Sequence, residues 1–324
     1  MPANRQLNFA GAFAIWASLI VFAAVYGAWR GFGGPRFAVA LVVCALLLAG
    51  QLFYAVKNFR DRALARFAQS HGWLAVAAPL AALLIYAALV ARPIWIHLLA
   101  VVIYAIAPAA LVASAGEAAP GAWQDYVAVI AIWLPVGLRW LRGEWPYPPP
   151  LTHTLTALFA LNVALAAFLF VRRLDGIGYS VEWGKGFSFA VGFNFIVFAA
   201  IAIPLGEAIG FIRFDPWHVP WKSLPLAALG IVFFTAWPEE FLFRGLIQNL
   251  LARTLKNPWS ALIVASIIFG FAHINNGTFP NWRYVLLATI AGIFYGRAWM
   301  KTGSIFASCL VHALVDFTWH ALFR

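Results

Sequence analysis

An all-α, polytopic transmembrane bundle with about 9–11 spans is the fold class this sequence predicts, on three observations. Of 324 residues, 64% are hydrophobic and only 10% are charged, where soluble domains carry about 25% charged residues. The apolar residues fall in runs of roughly 18–22, enough to cross a hydrocarbon core as helices. The runs lack the strict alternation of a membrane β-barrel strand. In hydrocarbon every backbone donor and acceptor must be paired within the protein, so with barrels set aside only helices remain.

The apolar runs are residues 8–29, 37–56, 74–91, 95–114, 123–138, 151–171, 187–205, 224–250, 259–273, 284–300 and 304–322. The first is too long for the core of a signal peptide and lacks a small-residue cleavage site, so it reads as a span. The run 123–138 is short enough to be tilted or re-entrant. Between the second and third runs, Lys57 to Arg66 is the densest basic cluster. It reads either as an interfacial amphipathic helix with Phe59 and Phe67 turned inward or as a plain loop. The positive-inside rule puts it, and the N-terminus, on the cytoplasmic side. Trp145 to Pro150, "WPYPPP", is a stiff connector that cannot be helical, because its prolines lack donors. Arg172 to Gly186 is polar and glycine-rich and marks a boundary between an N-terminal membrane bundle, 1–186, and a C-terminal core, 187–324. Ser223 is positioned to cap the helix that Pro225 opens.

The net charge of +11 points to topology and to anionic lipid headgroups of the surrounding bilayer. Nucleic-acid binding needs a basic face on a soluble module, and none is visible. Cys44 and Cys309 lie in apolar runs and read as packing residues, not a disulfide or metal pair.

The polar groups within the spans carry the chemistry. Of the eleven acidic residues, only Glu239, Glu240 and Asp316 lie well inside apolar runs, Asp125 falling at the end of one. Arg244, His273 and His312 join them in the same C-terminal part. Each ionisable group at membrane depth costs at least about 2.5 kcal/mol, so such a concentration argues for a site. Glu240 and Arg244 are four residues apart on one helix face and can neutralise each other. Glu239 lies about 100° round the helix, faces elsewhere and has no local partner, which leaves it available for chemistry. Pro238 directly before it is expected to kink the helix and free the Phe234 carbonyl. Phe269 and His273 share a face, as do His312, Asp316 and His320. A carboxylate one turn from a histidine can orient it, whereas His320 reads as a capping or interfacial residue. The zinc-protease pattern His-Glu-x-x-His is absent.

Glu239-Glu240-x-x-x-Arg244, Phe269-x-x-x-His273 and His312-x-x-x-Asp316 resemble, in order and spacing, the three motifs of the CPBP (CAAX protease and bacteriocin-processing, Abi) family, which includes the type II CAAX prenyl endopeptidases. The resemblance covers roughly residues 220–322. It implies an intramembrane endopeptidase, commonly named a metalloprotease, acting on a peptide or lipidated-peptide substrate. Carried over, Glu239 and His273 would activate a water, His312 and Asp316 would face the oxyanion, and Glu240 and Arg244 would hold the framework. The family's last motif ends in asparagine or aspartate. An ionised Asp316 would repel an oxyanion, whereas a protonated one could donate to it. Otherwise Asp316 orients His312, or joins Glu239, His273 and His312 around a zinc ion. No cofactor is demanded by the residues themselves. A multi-pass protein of the bacterial inner (plasma) membrane is expected. The rivals are a proton-coupled transporter and a catalytically silent scaffold or immunity-type protein. A transporter would spread its polar groups along a pathway and show paired repeats, and neither is visible.

Overall fold

The structure is a computed structural model that describes residues 5–91 and 95–324. The fold is all-α and polytopic, and it divides into two compact units, Gln6–Asp175 and Gly176–Arg324.

The first unit holds α1 (Phe9–Trp29), α2 (Gly34–Phe53), α3 (Lys57–Phe67), α4 (Leu74–Ala91), α5 (Trp95–Ser114), α6 (Trp123–Gly137) and α7 (Pro149–Val171). Its core is α7, which is apolar all round and buried on every face, as a central helix must be. The one amide there, Asn162, donates to the Leu47 and Leu158 carbonyls, both at 2.8 Å. The basic cluster forms the helix α3, with Phe59 tilted against Phe53 and Phe67 against Phe170. The "WPYPPP" stretch is not wholly non-helical. Pro149–Leu151 is a 3₁₀ turn that opens α7, since a first-turn proline has helical φ and its missing donor is unneeded there. Asp125, near the start of α6, is fully buried and paired with Arg172 at 2.7 Å.

The second unit holds α8 (Lys185–Ala208), α9 (Trp221–Leu255), α10 (Pro258–Phe271), α11 (Trp282–Thr302) and α12 (Ile305–Leu322). Ser223 does not cap. Its hydroxyl donates to the Pro220 carbonyl at 2.7 Å, and a 3₁₀ turn starts the helix at Trp221. Asn257 and Ser304 do cap, accepting from the Ser260 and Phe306 amides respectively. Ser304 also donates to the Ser180 carbonyl, tying the start of α12 to the loop before α8.

Eight helices among the described residues are long and apolar enough to cross a membrane, fewer than the nine to eleven expected. The difference lies in three of the runs. α6 and α10 have 15 and 14 residues, too few for a core of about 30 Å at 1.5 Å per residue. α11 has the length, but Arg283, Arg297 and Lys301 lower its hydropathy.

Glycines let α10 and α11 approach closely. A Cβ at Gly270 would run into the Thr289 hydroxyl and lie 2.7 Å from the Val285 carbonyl, and one at Gly292 would lie 3.0 Å from Ser266. Small residues at crossings are how membrane helices gain packing without a hydrophobic drive. Gly270→Ala is expected to destabilise by about 1–3 kcal/mol through overpacking, outweighing a helix-propensity gain of roughly 0.5–1 kcal/mol. A thermal midpoint in detergent equal to wild type would contradict this packing.

Candidate active site

α9 carries the two glutamates. It does not break at Pro238. Instead, π-helical turns at Ile231–Ala236 and Phe241–Gln248 bracket Trp237–Glu240. The Trp237 amide bonds to the Val232 carbonyl, five residues back. The widened turn absorbs the register that the proline would otherwise interrupt, and the helix runs on for 35 residues. At 1.5 Å per residue that is about 52 Å.

Glu240 is fully buried and saturated. Its Oε1 accepts from Arg244 Nη1 at 3.0 Å and lies 2.8 Å from His312 Nδ1. Its Oε2 accepts from the Ser308 hydroxyl. Arg244 also donates to the Gly292 carbonyl at 3.0 Å, and its guanidinium lies 4.6 Å from the Phe269 ring centroid and 5.2 Å from that of Tyr295. A buried charge pair repays its desolvation only when the remaining donors and acceptors are satisfied, and here Glu240 has three polar partners and Arg244 two.

Glu239 differs in its bonding but not in its direction. Its side chain is 35% exposed and its Oε2 is 4.0 Å from His312 Nε2. That oxygen has no hydrogen-bond partner. The expectation that Glu239 faces away from Glu240 is therefore corrected, because the two carboxylates approach opposite nitrogens of one imidazole. Adjacent helical positions diverge by about 100°, but both side chains are long and the His312 ring from α12 sits between them.

His312 is buried, with its ring stacked on Tyr295 at 4.6 Å and 15°. Its Nδ1 faces a carboxylate, which only accepts, so Nδ1 carries the proton. Its Nε2 is 3.3 Å from Asp316 Oδ2, one turn along α12. The Asp316 side chain is 29% exposed. His273, just beyond α10, puts Nδ1 2.8 Å from the Phe269 carbonyl. A carbonyl also only accepts, so Nδ1 is the N–H and Nε2 keeps its lone pair. The His273 ring packs against Phe269 and Tyr284. His320 stands apart, exposed in the last turn of α12.

Next to these groups is a cavity of about 90 Å³. His273, His312 and Asp316 supply its polar side, and Phe198, Ala202 and Leu287 are among its apolar walls. α8 was not expected to contribute to a site, and it supplies much of that wall. Ser308 was also missed. It lies four residues from His312, in the series Ser304, Ser308, His312, Asp316, and that spacing was its available signal. Ser308→Ala should strand a lone pair of a buried carboxylate and cost about 1–3 kcal/mol. A fall in unfolding midpoint smaller than that of Arg244→Ala is the expected reading, and an unchanged midpoint would refute the contact.

Oxygen and imidazole donors of this kind suit a zinc ion chemically. As arranged, however, no three His, Cys, Asp or Glu side chains among the described residues converge as a metal-binding group. His312 Nδ1 and His273 Nδ1 are committed to Glu240 and to the Phe269 carbonyl. That leaves Nε2 of each ring as the nitrogen that would ligate an ion, with Glu239 and Asp316 at 4.0 and 3.3 Å from His312 Nε2.

Fold and site together describe an integral, multi-pass membrane protein with a cluster of glutamates, histidines and an aspartate beside a largely apolar cavity. Residues 220–318, the stretch that holds Glu239, Glu240, Arg244, His273, His312 and Asp316, match the family described as type II CAAX prenyl endopeptidase Rce1-like. No curated protein and no solved structure matches the chain.

Proposed function

We propose that the protein hydrolyses a peptide bond of a membrane-associated or lipidated peptide, using Glu239 and His273 to activate a water. The observation that carries this reading is the carboxylate oxygen of Glu239, which has no hydrogen-bond partner although it is buried. A buried acceptor left unpaired costs about 1–3 kcal/mol, and such strain at a site is a mark of a role outside folding. Glu239 takes the proton of the water as its oxygen attacks the scissile carbonyl. The free Nε2 of His273 holds the water by accepting its second hydrogen. The resulting oxyanion faces His312, whose ring is fixed by Glu240 and Asp316. A protonated His312 Nε2 then donates to that charge. Collapse breaks the C–N bond, and Glu239 returns its proton to the leaving amine.

The reaction in this scheme is metal-free. Elemental analysis of purified, active protein is expected to find no stoichiometric zinc. Zinc at one per chain, whose removal abolishes cleavage and whose return restores it, would overturn that part. The activity itself is tested by reconstituting the full chain in liposomes with prenylated and unprenylated peptides. Appearance of a new peptide N-terminus that requires Glu239 supports the reading. Its absence with every substrate tested, alongside proton-coupled solute uptake, would favour a transporter.

A further inference from the structure

We infer that the first unit holds a binding site for the headgroup of an anionic phospholipid, between the chain entering α1 and the start of α3. A cavity of about 460 Å³ opens there, lined by Asn8, Phe9, Lys57, Asn58, Phe59 and Arg62 among others. Its cations are Lys57 and Arg62, and no carboxylate lines it. The acidic residue of α3, Asp61, lies 4.0 Å from Arg60 instead. Lys57 and Arg62 are exposed, and neither makes a salt bridge among the described residues. The amides of Asn8 and Asn58 add polar groups to the rim, the former already accepting from the Gly11 amide at 2.8 Å. The apolar side is built from rings: Phe9 stacks on Phe53 at 5.2 Å and on Phe59 at 5.9 Å.

Position selects the ligand. α1 starts at Phe9 and α2 ends at Phe53, and both are long and apolar enough to span a membrane. A cavity at the start of one span and the end of the next lies at headgroup depth. Below it, α1 exposes Phe13, Val21, Phe22 and Val25, a surface along which acyl chains can lie. Two cations at the top of an apolar helix face match a phosphodiester with two chains beneath it. A free phosphate would have no use for that apolar face. Each Lys or Arg near an anionic lipid surface contributes about 1 kcal/mol.

The test uses the full chain in detergent, with phosphatidylglycerol and phosphatidylcholine as probes and retained lipid read by native mass spectrometry. Wild type should retain phosphatidylglycerol in preference to phosphatidylcholine. Lys57→Gln with Arg62→Gln should weaken the anionic lipid by on the order of 30-fold. Lys256→Gln with Lys301→Gln removes the same formal charge elsewhere and should change it less than threefold. Glycerol 3-phosphate at equal concentration should not displace the lipid. Equal retention of the two lipids by wild type, an unaffected Lys57/Arg62 variant, or equal loss in the Lys256/Lys301 control would each overturn the site. Displacement by glycerol 3-phosphate would overturn the lipid as its occupant. If the double variant does not fold, the single variants K57Q and R62Q should each weaken the anionic lipid by about fivefold, and no change in either would overturn the site.

Discussion

Glu239→Ala is expected to abolish peptide hydrolysis, lowering turnover by about 10²–10⁴-fold or more, while the protein stays folded and inserted. The two halves of this expectation have one cause. The Glu239 Oε2 makes no hydrogen bond, and its nearest charged neighbour is 4.0 Å away. Removing the carboxylate therefore deletes a base without breaking any hydrogen bond of that oxygen. The unfolding midpoint should be unchanged or raised, because an unpaired buried acceptor is gone. Glu239→Gln is the stricter control. It keeps the volume and a hydrogen-bonding end but cannot take a proton, so its activity should fall nearly as far. Cleavage in liposomes, with the variant assayed at equal incorporated protein, is the measurement. Turnover by either variant within tenfold of wild type would defeat the proposed mechanism.

Arg244→Met should have the opposite profile, a loss of folding stability of about 3–5 kcal/mol with activity lost as a consequence. The guanidinium joins three helices: it bonds Glu240 on α9 and the Gly292 carbonyl on α11, and lies against Phe269 of α10. Without it, Glu240 remains as a buried anion facing only Ser308 and His312. Lysine does not substitute, since a point charge cannot bond the carboxylate and the carbonyl as the planar fork does. The discriminating variant is the double change Glu240→Gln with Arg244→Met, which removes both charges. It should recover part of the stability lost in Arg244→Met, because the penalty comes chiefly from the charge left behind. Unfolding followed for the four proteins of this cycle gives the coupling directly. Additive losses would mean that the ion pair does not organise the site.

The comparison of these two variants bears on how one helix can carry both a framework and a reactive group. Glu239 and Glu240 are neighbours in sequence and approach one histidine from either side. One is saturated by Arg244, Ser308 and His312, and the other has an oxygen without a partner. Saturation holds the ring still, and the unpaired oxygen is what remains reactive. The π turns on both sides of Trp237–Glu240 fit this division, since widened turns recur where a helix must present side chains out of regular register.

Several features were legible in the residues alone because they depend on local geometry. Composition and the length of the apolar runs determine that the chain is a bundle of membrane helices, since hydrocarbon admits little else. The spacing of four between Glu240 and Arg244, between Phe269 and His273, and between His312 and Asp316 determines three local contacts, because one helical turn, or the turn that ends a helix, brings such pairs together whatever surrounds them. The tertiary structure alone decided the rest. That His312 turns its Nδ1 to Glu240, 72 residues away, and that Ser308 completes the carboxylate across 68 residues depend on the depth and rotation at which α9 and α12 cross. The Pro238 register was likewise settled in the tertiary structure, by a π turn before it. Intrahelical spacing is a property of the backbone, whereas the meeting of two helices is set by side-chain packing along their whole contact, which no short motif encodes.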